Sequence, residues 1–308
     1  AQNMSVLWLT GASGFLGRNL LKSSLIKQFE VVAVLREGST FTHPGVTCVS
    51  IDELEYKAPL PEVILHAATD YGRNAASVGD VILANLTLPL KLVDLAGRHL
   101  KSFVAIDSYY NKPVEVYSHL KDYCISKRVL IDWLRISNDG FGVSRIFLEH
   151  MYGPHDRDDK FVPSIFAKLL ENEDILLTSG HQTRDFIHVS DASHAILEIC
   201  KKSVTSPTDA FAEYEVGSGF STSIRDFVIA AKSVAKSSSP LRFGAMPERI
   251  GEIESSVANL ARIESLEFTP AFNLLDGLAS TWDFFTGQSN FHQIAGRSSA
   301  ATTAESGD

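Results

Sequence analysis

Gly11-Ala-Ser-Gly14-Phe-Leu-Gly17 follows directly on the apolar run Val6-Leu-Trp-Leu-Thr10 and opens a stretch in which Phe15, Leu16, Leu20 and Leu25 recur at helical spacing. A short, uniformly apolar run reads as a strand buried on both faces of a parallel sheet. Three glycines between that strand and a helix over residues 15–28 have separate uses. One permits the tight turn, one lets the backbone approach a pyrophosphate, and one lets the helix pack closely on the sheet. The free N–H groups and dipole of the helix then face the anion. Gly11, Ser13, Gly14, Phe15, Leu16 and Gly17 are therefore expected to cradle a dinucleotide, although the spacing is G-x-x-G-x-x-G rather than G-x-G-x-x-G. A purely structural turn is the alternative.

The same alternation continues outward from this turn. Val31–Leu35, Val46–Ile51, Val63–Ala67, Phe103–Ile106 and Val143–Leu148 read as further buried strands, with long helices over residues 81–99 and 118–138. Strands alternating with helices imply right-handed crossovers and an α/β fold, here a Rossmann-type doubly wound parallel sheet. Residues 4–150 form the expected dinucleotide-binding domain. From Tyr152 onward, prolines and glycines punctuate shorter elements, so residues 151–286 are expected to be mainly a smaller substrate-binding lobe, with the chain crossing back. Residues 287–308, rich in Ser, Ala, Thr and Gly, are expected to be a disordered tail.

Composition narrows the function classes. The 308 residues carry 28 basic and 37 acidic side chains, a net charge of −9, which argues against a nucleic-acid partner. No run reaches the roughly 20 apolar residues that cross a bilayer, and no leader pattern opens the chain, so a cytoplasmic protein without a membrane partner is expected. Cys48, Cys124 and Cys200 are widely spaced and odd in number, suggesting small buried hydrophobes and neither disulfides nor a metal site.

The end of the second strand bears on the adenosine ribose. An acidic residue there would accept from a free 2′-hydroxyl and repel a 2′-phosphate. Leu35-Arg36 stands there instead, with Arg18 within reach, which favours NADP over NAD; two solvated arginines are the bland alternative. Asp52 could touch the adenine or simply cap its loop. Tyr123 and Lys127, four residues apart on the predicted helix, share a face, and a neighbouring ammonium is expected to bring the tyrosine pKa towards neutrality. Ser108, ending the fifth strand, could donate to the same carbonyl oxygen that Tyr123 protonates.

Gly11–Gly17, Ser108, Tyr123 and Lys127 together resemble the extended short-chain dehydrogenase/reductase family of nucleotide-sugar epimerases, dehydratases and reductases. Leu65-His-Ala-Ala68, Tyr152-Gly-Pro154, Arg184-Asp-Phe-Ile-His-Val189 and Arg249-Ile-Gly-Glu252 are similar to further motifs of that family, and the likeness runs from about Val6 to Phe285. The resemblance implies that Ala67 contacts the cofactor and Lys127 the nicotinamide ribose. It implies that Asn85 sits behind the active site on its helix and contributes to substrate binding, an ordinary helix polar residue being the alternative, that Arg184 and Arg249 meet the substrate diphosphate, and that the protein is a homodimer built on its two long helices.

Departures from the family pattern are informative. Dehydratases of the family follow the strand-five hydroxyl with Asp-Glu, whereas Tyr109-Tyr110 follows Ser108 here. Phe147 and His150 stand where an arginine and an asparagine are usual; His150 could take over a substrate hydrogen bond or be a satisfied buried histidine. The stretch from Ser108 to Tyr123 is short, so an open rim is expected there. Lys160-Phe-Val-Pro163, the segment from Leu177 to Phe186, and Tyr123–Leu134 resemble the subgroup that reduces the 4-keto group of nucleotide-linked 6-deoxyhexoses, such as CDP-abequose and CDP-paratose synthases. NADPH-dependent reduction of a nucleotide sugar is the expected activity. A 4-epimerase with retained cofactor and a non-catalytic NADP-binding protein are the alternatives.

Overall fold

The computed structural model describes residues 4–73, 75–113, 115–136, 140–205, 210–266 and 268–287. Its strands are β1 Ser5–Thr10, β2 Phe29–Leu35, β3 Thr47–Ser50, β4 Val63–His66, β5 Ser102–Ser108, β6 Gly142–Leu148, β7 His150–Tyr152, β8 Ile175–Leu177, β9 Thr183–His188, β10 Phe211–Val216, β11 Ser221–Ser223 and β12 Leu241–Phe243. Its α-helices are α1 Phe15–Lys22, α2 Leu54–Lys57, α3 Val78–Ile82, α4 Leu88–Ala96, α5 Lys121–Ile136, α6 Phe161–Glu171, α7 Val189–Thr205, α8 Ile224–Ala235, α9 Ala261–Glu264 and α10 Leu274–Phe285.

Seven parallel strands form the main sheet in the order β10-β6-β5-β4-β1-β2-β3. The order reverses beside β1, leaving a crevice beyond the carboxyl ends of β1 and β4, where sheets of this kind bind ligands. The apolar runs are buried on both faces, as parallel strands require. Leu7 and Leu9 point into a core shared with α1 and α7. Trp8, between them, points into a second core with α4 and α5 and donates its indole N–H to the Pro59 carbonyl at 2.9 Å.

Several expected boundaries shift for local reasons. The helix expected over 15–28 stops at Lys22, and a 3-10 turn over Ser24–Gln28 follows. The third strand is shorter at both ends than Val46–Ile51. The helix expected over 81–99 begins earlier, at Val78, behind a capping box in which Ser77 and Asp80 bond each other's backbone. It is then interrupted by a π-helical segment, Leu83–Thr87, carrying Asn85. The helix expected over 118–138 starts as a 3-10 turn at Ser118–Leu120 and is described to Ile136.

A smaller lobe packs around Tyr152, Phe166, Phe186 and Phe227, with α6, α8 and α10. The chain returns from this lobe to the main sheet as β10, which pairs with β6. Residues 1–3 and 288–308, and hence nearly all of the expected tail, lie outside the described residues. Among the described residues, no helix is long and apolar enough to cross a membrane. Cys124 and Cys200 are buried and Cys48 half-buried, all unbridged.

The β10–β11 connection is fixed by one carboxylate. Asp185, fully buried on β9, accepts from the Ser218 amide (2.7 Å), the Ser218 hydroxyl (2.6 Å), the Gly219 amide (2.9 Å) and the Ala258 amide (3.1 Å). Asp185→Ala strands these donors, so a loss of about 3 kcal/mol is expected. The melting temperature should fall by roughly 6–12 °C in a thermal unfolding scan; an unchanged melting temperature would show that the loop does not depend on this anchor.

Candidate active site

A cleft of about 2090 Å³ runs along the carboxyl ends of the central strands and under the smaller lobe. It is lined by Gly11, Ser13, Gly14, Phe15, Leu16, Gly17, Arg36, Asp52, Ala67, Ser108, Tyr123, Lys127, His150, Arg184 and Arg249. Every candidate catalytic, cofactor-binding and substrate-binding residue thus lines this one cleft except Asn85.

The glycine turn is a cradle with no room for side chains. Gly11 has a φ of +74°, and a Cβ on it would lie 2.7 Å from the Ala68 amide nitrogen. A Cβ on Gly17 would lie 2.1 Å from the Gly11 carbonyl oxygen. Gly14 caps α1 with extended backbone and no side-chain hydrogen bond, so the first amides of the helix stay open towards the cleft. These features fit the pyrophosphate of a nicotinamide dinucleotide. Arg36 is exposed just past the end of β2. Arg18 donates to the Ser13 carbonyl at 2.7 Å and lies over the Phe41 ring, so its head is already engaged. Asp52 is exposed and paired at 3.4 Å with Lys91.

Further in, Ser108, Tyr123 and Lys127 are all buried. The Ser108 hydroxyl accepts from the Tyr110 amide at 3.3 Å, and its proximity acts to lower the Tyr123 pKa. Lys127 donates to the Ile106 carbonyl at 2.6 Å, and its Nζ lies 5.3 Å from the Tyr123 ring centre. Burial lowers the Lys127 pKa to about 8, against the pull of Asp107. Burial pushes the Tyr123 phenol well above its ordinary value; Tyr71 and Asp107 push the same way, and Ser108 opposes them. This direction is opposite to the lowering expected from a neighbouring ammonium, because desolvation of the phenol is the largest influence on it.

Asn85 stands behind the cluster, but the substrate contact expected of it is corrected. Fully buried, it accepts from the Asp70 amide (2.8 Å) and the Thr69 hydroxyl (3.2 Å), and donates to the Asp70 carbonyl (2.9 Å) and the Ser126 hydroxyl (3.0 Å). Its amide is fully used inside the protein, so it does not reach the substrate side.

At the far end, Arg184 is buried and paired with Glu252 at 2.7 Å. Glu252 also accepts from the Tyr117 hydroxyl at 3.1 Å, and His119 bonds the Ile250 carbonyl at 2.7 Å. The rim between Ser108 and Tyr123, expected to be open, is therefore latched to the 249–252 segment and filled by Tyr109, Tyr110 and Tyr117, whose rings pack at 4.2 and 4.6 Å. Arg249 lines the exposed mouth. His150 is half-buried against Phe186, and burial lowers its pKa to about 4, with Arg184 acting in the same direction.

Residues 7–217 match the family described as NAD dependent epimerase/dehydratase. The chain belongs to that family. It is an NAD(P)-dependent enzyme of the extended short-chain dehydrogenase/reductase type. A CDP-abequose synthase of Salmonella typhimurium is 32% identical over 88% of this chain and 95% of the relative. A dTDP-4-dehydro-6-deoxy-D-allose reductase of Streptomyces bikiniensis is 24% identical over 90% of this chain and 95% of the relative. Among solved structures, a UDP-N-acetylglucosamine 4-epimerase from Methanobrevibacter ruminantium, in complex with UDP-N-acetylmuramic acid, superposes with a TM-score of 0.77. It is 19% identical and covers 94% of this chain and all of its own, a likeness that speaks to fold.

For this epimerase/dehydratase family enzyme, the sequence reading passed over the groups that support Ser108. Asp107 is buried and held by Arg145 at 2.7 Å, while it accepts from the Ser108 amide (2.7 Å) and Asn111 (2.8 Å). A signal existed: Asp107 and Arg145 interrupt two otherwise apolar strands, and buried charges there must be paired. Tyr71, which stacks on Tyr123, stood in an unpatterned loop and had no such signal.

Gly17→Ala drives a methyl group into the Gly11 carbonyl, so the turn must move. Cofactor binding, followed by quenching of protein fluorescence, is expected to weaken at least about tenfold, or about 1.4 kcal/mol; unchanged binding would show that the cradle is not what holds the dinucleotide.

Proposed function

We propose that this enzyme uses NADPH to reduce the 4-keto group of a nucleotide-linked 6-deoxyhexose. The carrying observation is the buried Ser108, Tyr123 and Lys127 cluster opening onto the same cleft as the glycine cradle. The relatives named CDP-abequose synthase and dTDP-4-dehydro-6-deoxy-D-allose reductase support a deoxyhexose carried on a nucleotide.

When bound, the nicotinamide supplies the hydride that reaches C4. Ser108 orients the substrate: its oxygen is occupied by the Tyr110 amide, which leaves its own proton to donate to the ketone oxygen. Tyr123 donates its proton to the alkoxide as it develops, and burial keeps the phenol protonated until then. Lys127, with a pKa of about 8, is mostly cationic at neutral pH and stabilises the tyrosinate that results. Its charge is lost as pH rises through 8, so turnover should fall on the alkaline side. Arg184 and Arg249 bind the diphosphate, with Arg184 exchanging its Glu252 partner for phosphate oxygens. His150, neutral at working pH, offers a hydrogen bond without charge.

Arg36, at the end of β2 where no carboxylate intervenes, supports NADP over NAD. A homodimer belongs to the same reading, supported by the exposed stripe of Ile125, Val129 and Trp133 along α5.

The deciding experiment follows nicotinamide absorbance with NADPH or NADH and a panel of nucleotide 4-keto-6-deoxyhexoses. Consumption of NADPH with one of them is expected, and Tyr123→Phe should lower that rate by about 100-fold or more while still binding cofactor. A flat trace with every ketosugar would overturn the reductase reading, and near-normal Tyr123→Phe turnover would remove the phenol from its role. For cofactor choice, Arg36→Ala is expected to raise the KM for NADPH about tenfold and leave that for NADH unchanged; parallel changes in both would count against a 2′-phosphate contact.

A further inference from the structure

Tyr71 belongs to no motif and faces the catalytic tyrosine. Its ring stacks on Tyr123 with centroids 4.8 Å apart and planes 20° from parallel. Near-parallel stacking at that spacing removes one face of a phenol from water. Across the cleft, Lys160, the residue that precedes α6, places its ammonium 4.5 Å from the Tyr71 ring centre, and the Arg73 guanidinium lies 5.7 Å from it. The ring thus spans from a helix of the sheet domain to a cation of the smaller lobe.

The stack rests on a built foundation. The backbone just before Tyr71 is held at both its N–H and its C=O by Asn85, whose amide also bonds Ser126. Ser126 in turn donates to the carbonyl of Tyr123 itself at 2.9 Å. One unbroken chain of hydrogen bonds therefore ties the residue preceding Tyr71 to the backbone of Tyr123. The loop turns away immediately afterwards at Gly72, whose φ is +67° and whose amide bonds the Asp70 carboxylate at 2.8 Å. A fully buried asparagine with all its bonds spent on this junction explains why Asn85 does not reach the substrate.

We propose that Tyr71 is a positioning residue for the catalytic phenol: its stacked ring, fixed by Asn85 and Ser126 and covered by Lys160, shields Tyr123 from water and keeps its proton in place for transfer. The groups facing Tyr123 are Tyr71 from the β4–α3 loop, Asp107 and Ser108 from β5, and Cys124 and Lys127 from α5. Of these, Tyr71 is the ring stacked on the face of Tyr123, so its removal uncovers that face without removing a charge. Opening that face stabilises the phenolate and lowers the pH at which the proton is lost.

The inference rests on the role given to Tyr123 above, so its test is arranged to work without substrate. Ultraviolet titration of the phenolate band is recorded for the wild type and Tyr123→Phe, and for Tyr71→Ala with and without Tyr123→Phe. Each difference isolates the ionisation of Tyr123. With alanine at position 71, Tyr123 should ionise with at least a tenfold larger constant than in the wild type; Tyr71→Phe, which keeps the stack, should leave it near the wild-type value. With a working substrate, Tyr71→Ala should lower kcat more than it changes KM and move the alkaline limb of the pH profile to lower pH, and Tyr71→Phe should restore both. An unchanged Tyr123 titration in Tyr71→Ala overturns the proposal even if the enzyme is an active reductase. So does a change in KM alone, or a phenylalanine variant as impaired as the alanine one. Absence of reductase activity in the wild type overturns the proposed reaction and leaves the titration result standing.

Discussion

The approach of α1 to the end of β1 is the constraint on which the rest of the site depends. A Cβ at position 17 would stand 2.1 Å from the carbonyl oxygen of Gly11, so the helix can begin where it does only with hydrogen in that place. With it there, the open amides of the first turn look into the crevice beside β1, where the strand order reverses. Ala67 and Ala68 come up against the same turn because the Ala68 amide bonds the Thr10 hydroxyl across the two strand ends. What the crevice offers an anion is thereby set by backbone contact rather than by side-chain choice, and Ser108 on β5 and Tyr123 and Lys127 on α5 line the same cleft.

That holding is done by buried polar groups that are almost all paired. Asp107 and Arg145 neutralise each other beneath Ser108, and Asn111 joins Asp107 to the Cys124 carbonyl on α5. Glu149, whose side chain is fully enclosed, is held by Lys112 and the Ser256 hydroxyl, and Lys112 also reaches Glu215 on β10. A buried ion pair adds little net stability, because desolvation offsets much of the attraction, but removing one partner is costly. The pairs therefore act mainly as registers. They fix where strand ends sit, and through them where a serine and a tyrosine face each other.

The sheet was legible because parallel strands announce themselves as unbroken apolar runs and the glycine turn follows the first of them. The glycine turn was legible for the same reason: its geometry is local in sequence, from Gly11 to Gly17. What could not be read was long-range. Asn85 looked available because its partners, Asp70 and Ser126, lie 15 and 41 residues away. The helix carrying it looked regular because a π-helical segment has no compositional mark distinct from an α-helix. The rim looked open because its length was read without Glu252, which arrives from 135 residues beyond Tyr117 to close it. The direction of the Tyr123 shift was misjudged for a related reason: spacing reports that a lysine is near, whereas desolvation is a property of everything packed around the pair.

The tyrosines in the cleft bear on which reaction the site favours. Elimination requires a base to remove a carbon-bound proton next to the ketone and an acid to assist the departing hydroxyl. The residue after Ser108 is well placed for such work, and here it is Tyr109. Its phenol is buried, with the Arg184 guanidinium 5.8 Å from its ring centre, and burial holds it well above the ordinary phenol pKa, so it cannot act as a base near neutral pH. Tyr110, packed against it, is raised as well by burial. Two neutral phenols thus line the cleft beside Ser108. Neutral phenols at positions 109 and 110 leave no base beside Ser108, which counts against dehydration and agrees with the reduction proposed above.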